Sequence, residues 1–259
     1  MEEEDQAQGL RDVILPWVTI GRKKDFCDDH GEFESYKLGN KWSGCDKCSE
    51  NAALELAVQE GRKTKREAWE QKVRGAGIPQ RFTTRTLDTF VADTDKKITA
   101  KTWATEYAKD FPDVSQVGRS AIFIGRPGTG KTHLACGIGL RVMGLHHATV
   151  VFTTVQRLMR RIKETWARNA DETESQAIST FTSPELLILD EVGVQFGSET
   201  EKQLMFDILN ERYENCKPCI LLSNLNLTGV KEYLGDRIMD RMKENGGMTI
   251  VFDWESHRK

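Results

Sequence analysis

Over most of its 259 residues the chain alternates short apolar runs with longer amphipathic stretches. The runs "SAIFIG", "ATVVFTTV", "LLILDE", "CILLSN" and "MTIVFDW" are rich in aliphatic and β-branched residues and predict about five buried strands. Between them, apolar positions recur at helical spacing. That alternation predicts an α/β fold, a parallel sheet with helices on both faces. The first third reads differently. Residues 1–50 hold short β-like pieces such as "DVILPWVTI" and two glycine-punctuated turns. Residues 51–78 form a helix whose latter half is basic, closed by the Gly and Pro of "GIPQRF". The expected organisation is a small module (1–50), a helical basic linker (51–78) and a large α/β domain (79–259).

Composition narrows the setting. Charged residues make up 30% of the chain, yet the net charge is only -3. No apolar run approaches the ~20 residues of a membrane span. The acidic start "MEEEDQAQGL" lacks the basic and apolar regions of a signal peptide. Six cysteines without an export signal fit a reducing compartment and a metal site better than disulfides. A soluble cytoplasmic protein with no membrane association is expected.

The strand "SAIFI" runs into "GRPGTGKT" (125–132), which fits G-x-x-x-x-G-K-[ST] and opens a helical pattern. Gly125, Gly128 and Gly130 let the backbone wrap phosphates, and Arg126, Pro127 and Thr129 complete the loop. A helix N-terminus adds partial positive charge at that point. Lys131 would reach the β- and γ-phosphates of ATP, and the Thr132 hydroxyl would bind Mg²⁺. In "LLILDE", Asp190 and Glu191 emerge at the carboxyl end of a buried strand, where α/β sites lie. Asp190 would share the Mg²⁺ and Glu191 would polarise the attacking water. Asn224, after "CILLS", would orient that water or sense the γ-phosphate, or else simply form a turn with Ser223.

Two further constellations stand out. Cys27 and His30 (C-x2-H) precede Cys45 and Cys48 (C-x2-C), a Cys₃His set suited to structural Zn²⁺ with no open position. Cys216 and Cys219 lack further ligands nearby and read as buried or partly buried free thiols. The stretch "VQRLMRRIKETWARN" (155–169) is amphipathic, with Val155, Leu158, Met159, Ile162 and Trp166 on one face. Arg157, Arg160, Arg161 and Arg168 fall on the other, suited to phosphates or to plain solvation. Near the end, "LGDRIMDRM" reads as a helix stop at Gly235, an N-cap at Asp236, and a helix whose Arg237 and Arg241 point away from its apolar stripe.

Taken in order, "GRPGTGKTHLA", "LLILDEVGVQ…SETEK", "LLSNLN" and "LGDRIMDRM…VFDWESHR" resemble the AAA+ ATPase of DnaC-type replicative helicase loaders, phage versions included. The IstB transposition ATPases are close relatives. The resemblance covers roughly 79–259. It implies an AAA+ P-loop sheet of order 5-1-4-3-2, ATP-dependent self-association, and delivery of a hexameric replicative helicase to single-stranded DNA. It also makes Arg237 a finger acting on a neighbour's ATP, with Arg241 a secondary sensor or interface candidate. A guanidinium suits the role through its fixed charge and planar fork. The basic face of 155–169 resembles an insertion that lines a DNA channel in this clade. Trp166 matches an aromatic position there, so packing and base stacking are both open to it. The small helical lid of many AAA+ proteins is not expected. The Cys/His module departs from the helical N-terminal part of the best-known loaders, so the partner surface is left open between that module and the 51–75 helix. The competing functions are an IstB-like transposition ATPase acting with a transposase and, from another class, a small-molecule kinase.

Overall fold

The computed structural model describes residues 19–38, 40–193 and 198–256. Residues 12–18, most of the "DVILPWVTI" stretch, lie outside them. Two compact units part between Trp69 and Glu70.

The first unit is built on an antiparallel hairpin of β1 (Thr19–Cys27) and β2 (Gly31–Leu38), with a short β3 (Lys41–Trp42) alongside β2. Gly31, at φ 78°, accommodates the tight turn after His30. Helix α1 (Asp46–Gly75) follows. It begins before the expected residue 51, so that Cys45 and Cys48 flank its first turn.

The second unit contains a five-stranded parallel sheet: β4 (Ala121–Gly125), β5 (Val150–Thr154), β6 (Leu186–Asp190), β7 (Cys219–Ser223) and β8 (Met248–Phe252). The spatial order is β5-β6-β7-β4-β8. Numbered within the sheet, that is the expected 5-1-4-3-2 read from the other edge. Residues alternate between faces as the pleat demands. Phe123, Ile188, Ile220 and Leu222 pack with α2 (Asp95–Lys109), α3 (Phe111–Val117) and α4 (Lys131–His146). Ile122, Ile124, Leu187, Leu189 and Leu221 pack on the opposite face. There they meet α5 (Val155–Glu164), α6 (Glu174–Thr182), α7 (Glu199–Glu214), α8 (Leu227–Leu234) and α9 (Asp236–Lys243). No helix among the described residues is long and apolar enough to cross a membrane.

The outer edge of β5 is covered by the chain that enters the domain. Phe152 N–H donates to the Ala76 carbonyl at 2.7 Å. Gly77, at φ 71°, lies so close that a Cβ there would sit 2.6 Å from the Phe152 carbonyl oxygen. An edge strand in this fold is thus shielded from pairing elsewhere.

Beneath the sheet, Arg212 of α7 is fully buried. Its Nη1 donates to the carbonyls of Phe181 (2.9 Å), Thr182 (3.3 Å) and Pro184 (2.8 Å). Nη2 reaches Glu185 (3.4 Å) and Pro218 (2.8 Å), and Nε the Cys219 sulfur (3.1 Å). A planar guanidinium satisfies the frayed end of α6 and the entries to β6 and β7 at once. Removing it strands those acceptors in the interior. Arg212→Met is expected to lower unfolding stability by about 3–5 kcal/mol in urea titrations, with Arg212→Lys recovering only part of the loss.

Candidate nucleotide site and metal centre

Because the sheet is parallel, β4, β6 and β7 all end at one edge, and that edge holds a cleft of about 770 Å³. Pro127, Gly128, Gly130, Lys131, Thr132, Asp190, Glu191 and Asn224 line it. Helix α4 starts at Lys131 with no side chain capping it, which leaves its first N–H groups for a ligand. The loop's glycines meet real constraints. Gly125 has φ 144°, and a Cβ would stand 2.2 Å from the Phe252 carbonyl oxygen. Gly130 has φ 97°, with the Phe90 ring where its Cβ would go. Lys131 Nζ donates to the Gly125 (2.6 Å) and Arg126 (2.9 Å) carbonyls, and the buried Thr129 hydroxyl to Arg126 O (2.8 Å).

Thr132 Oγ1 donates to Asp190 Oδ2 at 2.9 Å, joining residues far apart in sequence. Burial raises the Asp190 pKa, opposed by Thr132, the Glu191 N–H and the Lys131 charge. A hydroxyl and a carboxylate in direct contact beside a phosphate loop are oxygen donors suited to Mg²⁺. Glu191 is exposed and carries φ 63°, a strained conformation for a non-glycine residue at the mouth of the cleft. The following loop is clipped to β7: Val192 N–H donates to Leu222 O (2.9 Å), and Ser223 Oγ to Val192 O (2.6 Å). That clip sets Glu191 beside Asn224.

Several lining residues were not singled out in the sequence. Arg81, Phe82, Arg85, Thr89, Phe90 and Val91 wall the cleft from the segment before α2. His133, which the sequence reads as a packing residue rather than a base, lines it too; its Nε2 lies 2.9 Å from Thr86 O and its ring meets Phe90 edge-on. Pro79 and the aromatic residues Phe82 and Phe90 were the available signal. The buried Cys136 thiol, pushed up by burial, is a packing residue.

The basic stretch departs from expectation. Helix α5 stops at Glu164, so Trp166 is not on its stripe: it is 50% exposed, with Nε1 hydrogen-bonded to Glu174. Thr165 Oγ1 bonds back to the Ile162 carbonyl (2.6 Å), which closes the helix early. The arginines do not form one face. Arg157 lines the nucleotide cleft, and Arg160 lines a neighbouring cleft with Glu191 and Tyr233. Arg161 forks onto Glu172 at 2.7 and 3.0 Å, and Arg168 is exposed.

At α9, Gly235 rather than Asp236 is the N-cap; Asp236 instead pairs with Lys231 at 2.7 Å. Arg237 is exposed, its guanidinium 5.5 Å from the Phe206 ring centre. It does not line the cleft of its own chain. Arg241, expected to point away like Arg237, is partly buried over Tyr213 (4.6 Å) and Phe206 (6.0 Å). Cys216 is exposed, with φ 50°, while Cys219 is buried under Arg212.

In the first unit, Cys27 ends β1, His30 follows in the turn, and Cys45 and Cys48 flank the α1 start. Their ligand atoms all lie within 4.8 Å of one another. His30 Nδ1 is 3.7, 3.7 and 3.3 Å from the sulfurs of Cys27, Cys45 and Cys48, and Cys27 Sγ is 3.5 Å from Cys48 Sγ. Tetrahedral zinc with bonds of about 2.0–2.3 Å requires ligand spacings of about 3.3–3.8 Å, and these four spacings match that range. Hydrogen bonds, foremost from the Asp29 backbone, lower the Cys27 pKa to about 7, whereas Cys27 itself pushes Cys48 up to about 12. These three thiols and the imidazole are the residues that would hold such an ion.

Comparison with known proteins bears on the large unit most directly. A family model described as IstB-like ATP binding protein matches residues 40–244. The replicative helicase loader DnaC of Buchnera aphidicola subsp. Schizaphis graminum is 33% identical over 190 residues, 73% of this chain and 76% of the relative. DnaC of Escherichia coli K12 is 32% identical over 172 residues, 66% and 68% of the two chains. A crystal structure of the DnaC helicase loader shares the fold, with TM-score 0.60 and 23% identity over 67% of this chain and 99% of that one. On the match of most of its length, the chain belongs to the IstB-like ATP-binding protein family, together with the DnaC-type replicative helicase loaders.

Proposed function

We propose that this chain is an ATPase that loads a hexameric replicative helicase onto single-stranded DNA, hydrolysing ATP at interfaces between its own copies. The observation that carries the reading is an asymmetry. The phosphate loop, Thr132, Asp190, Glu191 and Asn224 share one cleft, whereas Arg237 stands exposed outside it. A cleft open to solvent, plus an arginine with no place in it, suits a site finished by a second copy. Family membership and relatives named as helicase loaders support the rest. A cytoplasmic location follows from the same reading. The transposition alternative draws no support from relatives that carry the loader name.

In this reading the loop N–H groups and the α4 N-terminus receive the phosphates, and Lys131 turns from the loop carbonyls to the β- and γ-oxygens. Thr132 and Asp190 would hold Mg²⁺, which would supply charge neutralisation for the phosphates. Glu191 orients a water and takes its proton as oxygen attacks the γ-phosphorus and the bond to ADP breaks. Asn224 steadies that water. Arg237 of one copy supplies positive charge to the γ-phosphate held by the next. Phe206 lies beneath its guanidinium, and Arg241, over Tyr213, supports the interface. Arg157, Arg160, Arg168 and Trp166 are the DNA candidates. Arg161 is a weaker one, since Glu172 already occupies it. Zn²⁺ on Cys27, His30, Cys45 and Cys48 would hold the first unit together, a role suited to a domain (1–50) too small for its own core, linked through 51–78 to the ATPase domain (79–259).

Three outcomes are expected. Arg237→Ala keeps ATP affinity, whereas Lys131→Ala loses it. The arginine variant loses hydrolysis stimulated by DNA or assembly by on the order of 10³-fold, read in steady-state phosphate release; undiminished turnover would count against the finger. The purified chain carries one zinc by metal analysis. Chelation unfolds residues 19–45 in hydrogen exchange while nucleotide binding persists, and Cys48→Ser lowers the metal content. The chain also retains its replicative helicase in pull-downs, with ATP altering the complex; no capture in either state defeats the loading role.

A further inference from the structure

The segment after β8 touches the phosphate loop at a point that no motif of the ATPase site explains. Trp254 Nε1 donates to the Thr129 carbonyl at 2.8 Å. The indole is partly buried and rests on Phe252, ring centres 4.8 Å apart, and Phe252 in turn lies 5.2 Å from Phe123 of β4. Asp253 pairs with Lys96 of α2, pinning the same segment from its other side. The indole is therefore seated on the end of β8, its neighbour Asp253 is tied to α2, and the Thr129 carbonyl is held by the indole.

Which loop group this fixes follows from peptide geometry. The Thr129 carbonyl and the Gly130 N–H belong to one planar trans unit, so they point in opposite directions. Anchoring the carbonyl toward Trp254 turns the Gly130 N–H the other way. On the far side of the same unit, the Phe90 edge fills the space a Cβ at residue 130 would take. The Thr129 side chain is also fixed, by its bond to Arg126 O. Rotating this peptide requires breaking the indole bond.

We propose that Trp254 is a positioning residue for nucleotide phosphates: its indole N–H locks the Thr129–Gly130 peptide so that the Gly130 N–H is presented to the β-phosphate of a nucleoside di- or triphosphate. The proposal rests on the nucleotide reading of the cleft and adds a determinant from outside the loop. It makes phosphate binding depend on the seating of residues 252–254 against α2 and β4. A ligand or partner that lifts this segment thereby weakens nucleotide binding without touching the cleft.

The test is Trp254→Phe, which keeps an aromatic ring beside Phe252 and deletes the donor. ADP and ATP affinities, from displacement of a fluorescent nucleotide, should weaken roughly 5- to 20-fold, as expected for one lost hydrogen bond plus a freed peptide. Adenosine, which carries no phosphate, should compete as well against the variant as against the wild-type chain. Unchanged ADP affinity overturns the proposal, and so does parallel weakening of adenosine and ADP, which would mark general loosening. In the ¹⁵N-labelled wild-type chain, the Trp254 indole resonance should shift on ADP addition and stay put with adenosine; an insensitive resonance overturns it even if the variant fails to fold. A wild-type chain that binds neither ADP nor ATP defeats the nucleotide reading itself, and the proposal with it.

Discussion

The common direction of five strands is the constraint from which the candidate site descends. A parallel sheet forces each connection to return as a crossover, and every strand then ends at the same edge. Gly125, Asp190 and Ser223 close three of those strands. Antiparallel pairing of the same segments would send Asp190 to the opposite end from the phosphate loop. The contact between Thr132 and Asp190 is thus a consequence of topology rather than of attraction between the two residues.

Around that edge, rigidity and strain are distributed unevenly. Beneath it lie aliphatic layers on both faces and a buried arginine that ties three element ends together. At its rim lie the left-handed Glu191 and glycines whose neighbours leave no room for a Cβ. A stiff base is what allows a strained rim to persist, since the surrounding structure must hold conformations that the local chain disfavours. The first unit is organised on different terms. Its three-stranded sheet is largely polar, and among the described residues its order centres on four converging ligand atoms.

Aromatic rings do a second kind of positioning. Phe206 lies under two guanidinium groups, and Phe90 abuts both the loop and His133. Such contacts are individually worth about 0.5–2 kcal/mol, too little to create a fold. They are enough to select one orientation of a group that would otherwise turn freely.

The sequence by itself determined the α/β class, the five strands of the parallel sheet, the phosphate loop and the acids that follow "LLIL", because each is written in local periodicity or fixed spacing. The Cys/His set was legible for the same reason. Tertiary structure alone decided the fates of look-alike residues. Arg237 and Arg241 share a helix and both lie over Phe206, yet one is exposed and the other partly buried, since Tyr213 of α7 meets only Arg241. Trp166 left its expected stripe because Thr165 ended the helix a turn early. Arg157 joined the cleft through its place in the first turn of α5, and Arg212, unremarkable in sequence, became the most deeply buried charge. Periodicity records which face of an element is apolar; it carries no information about which neighbour, arriving from a distant part of the chain, will cover a given polar group.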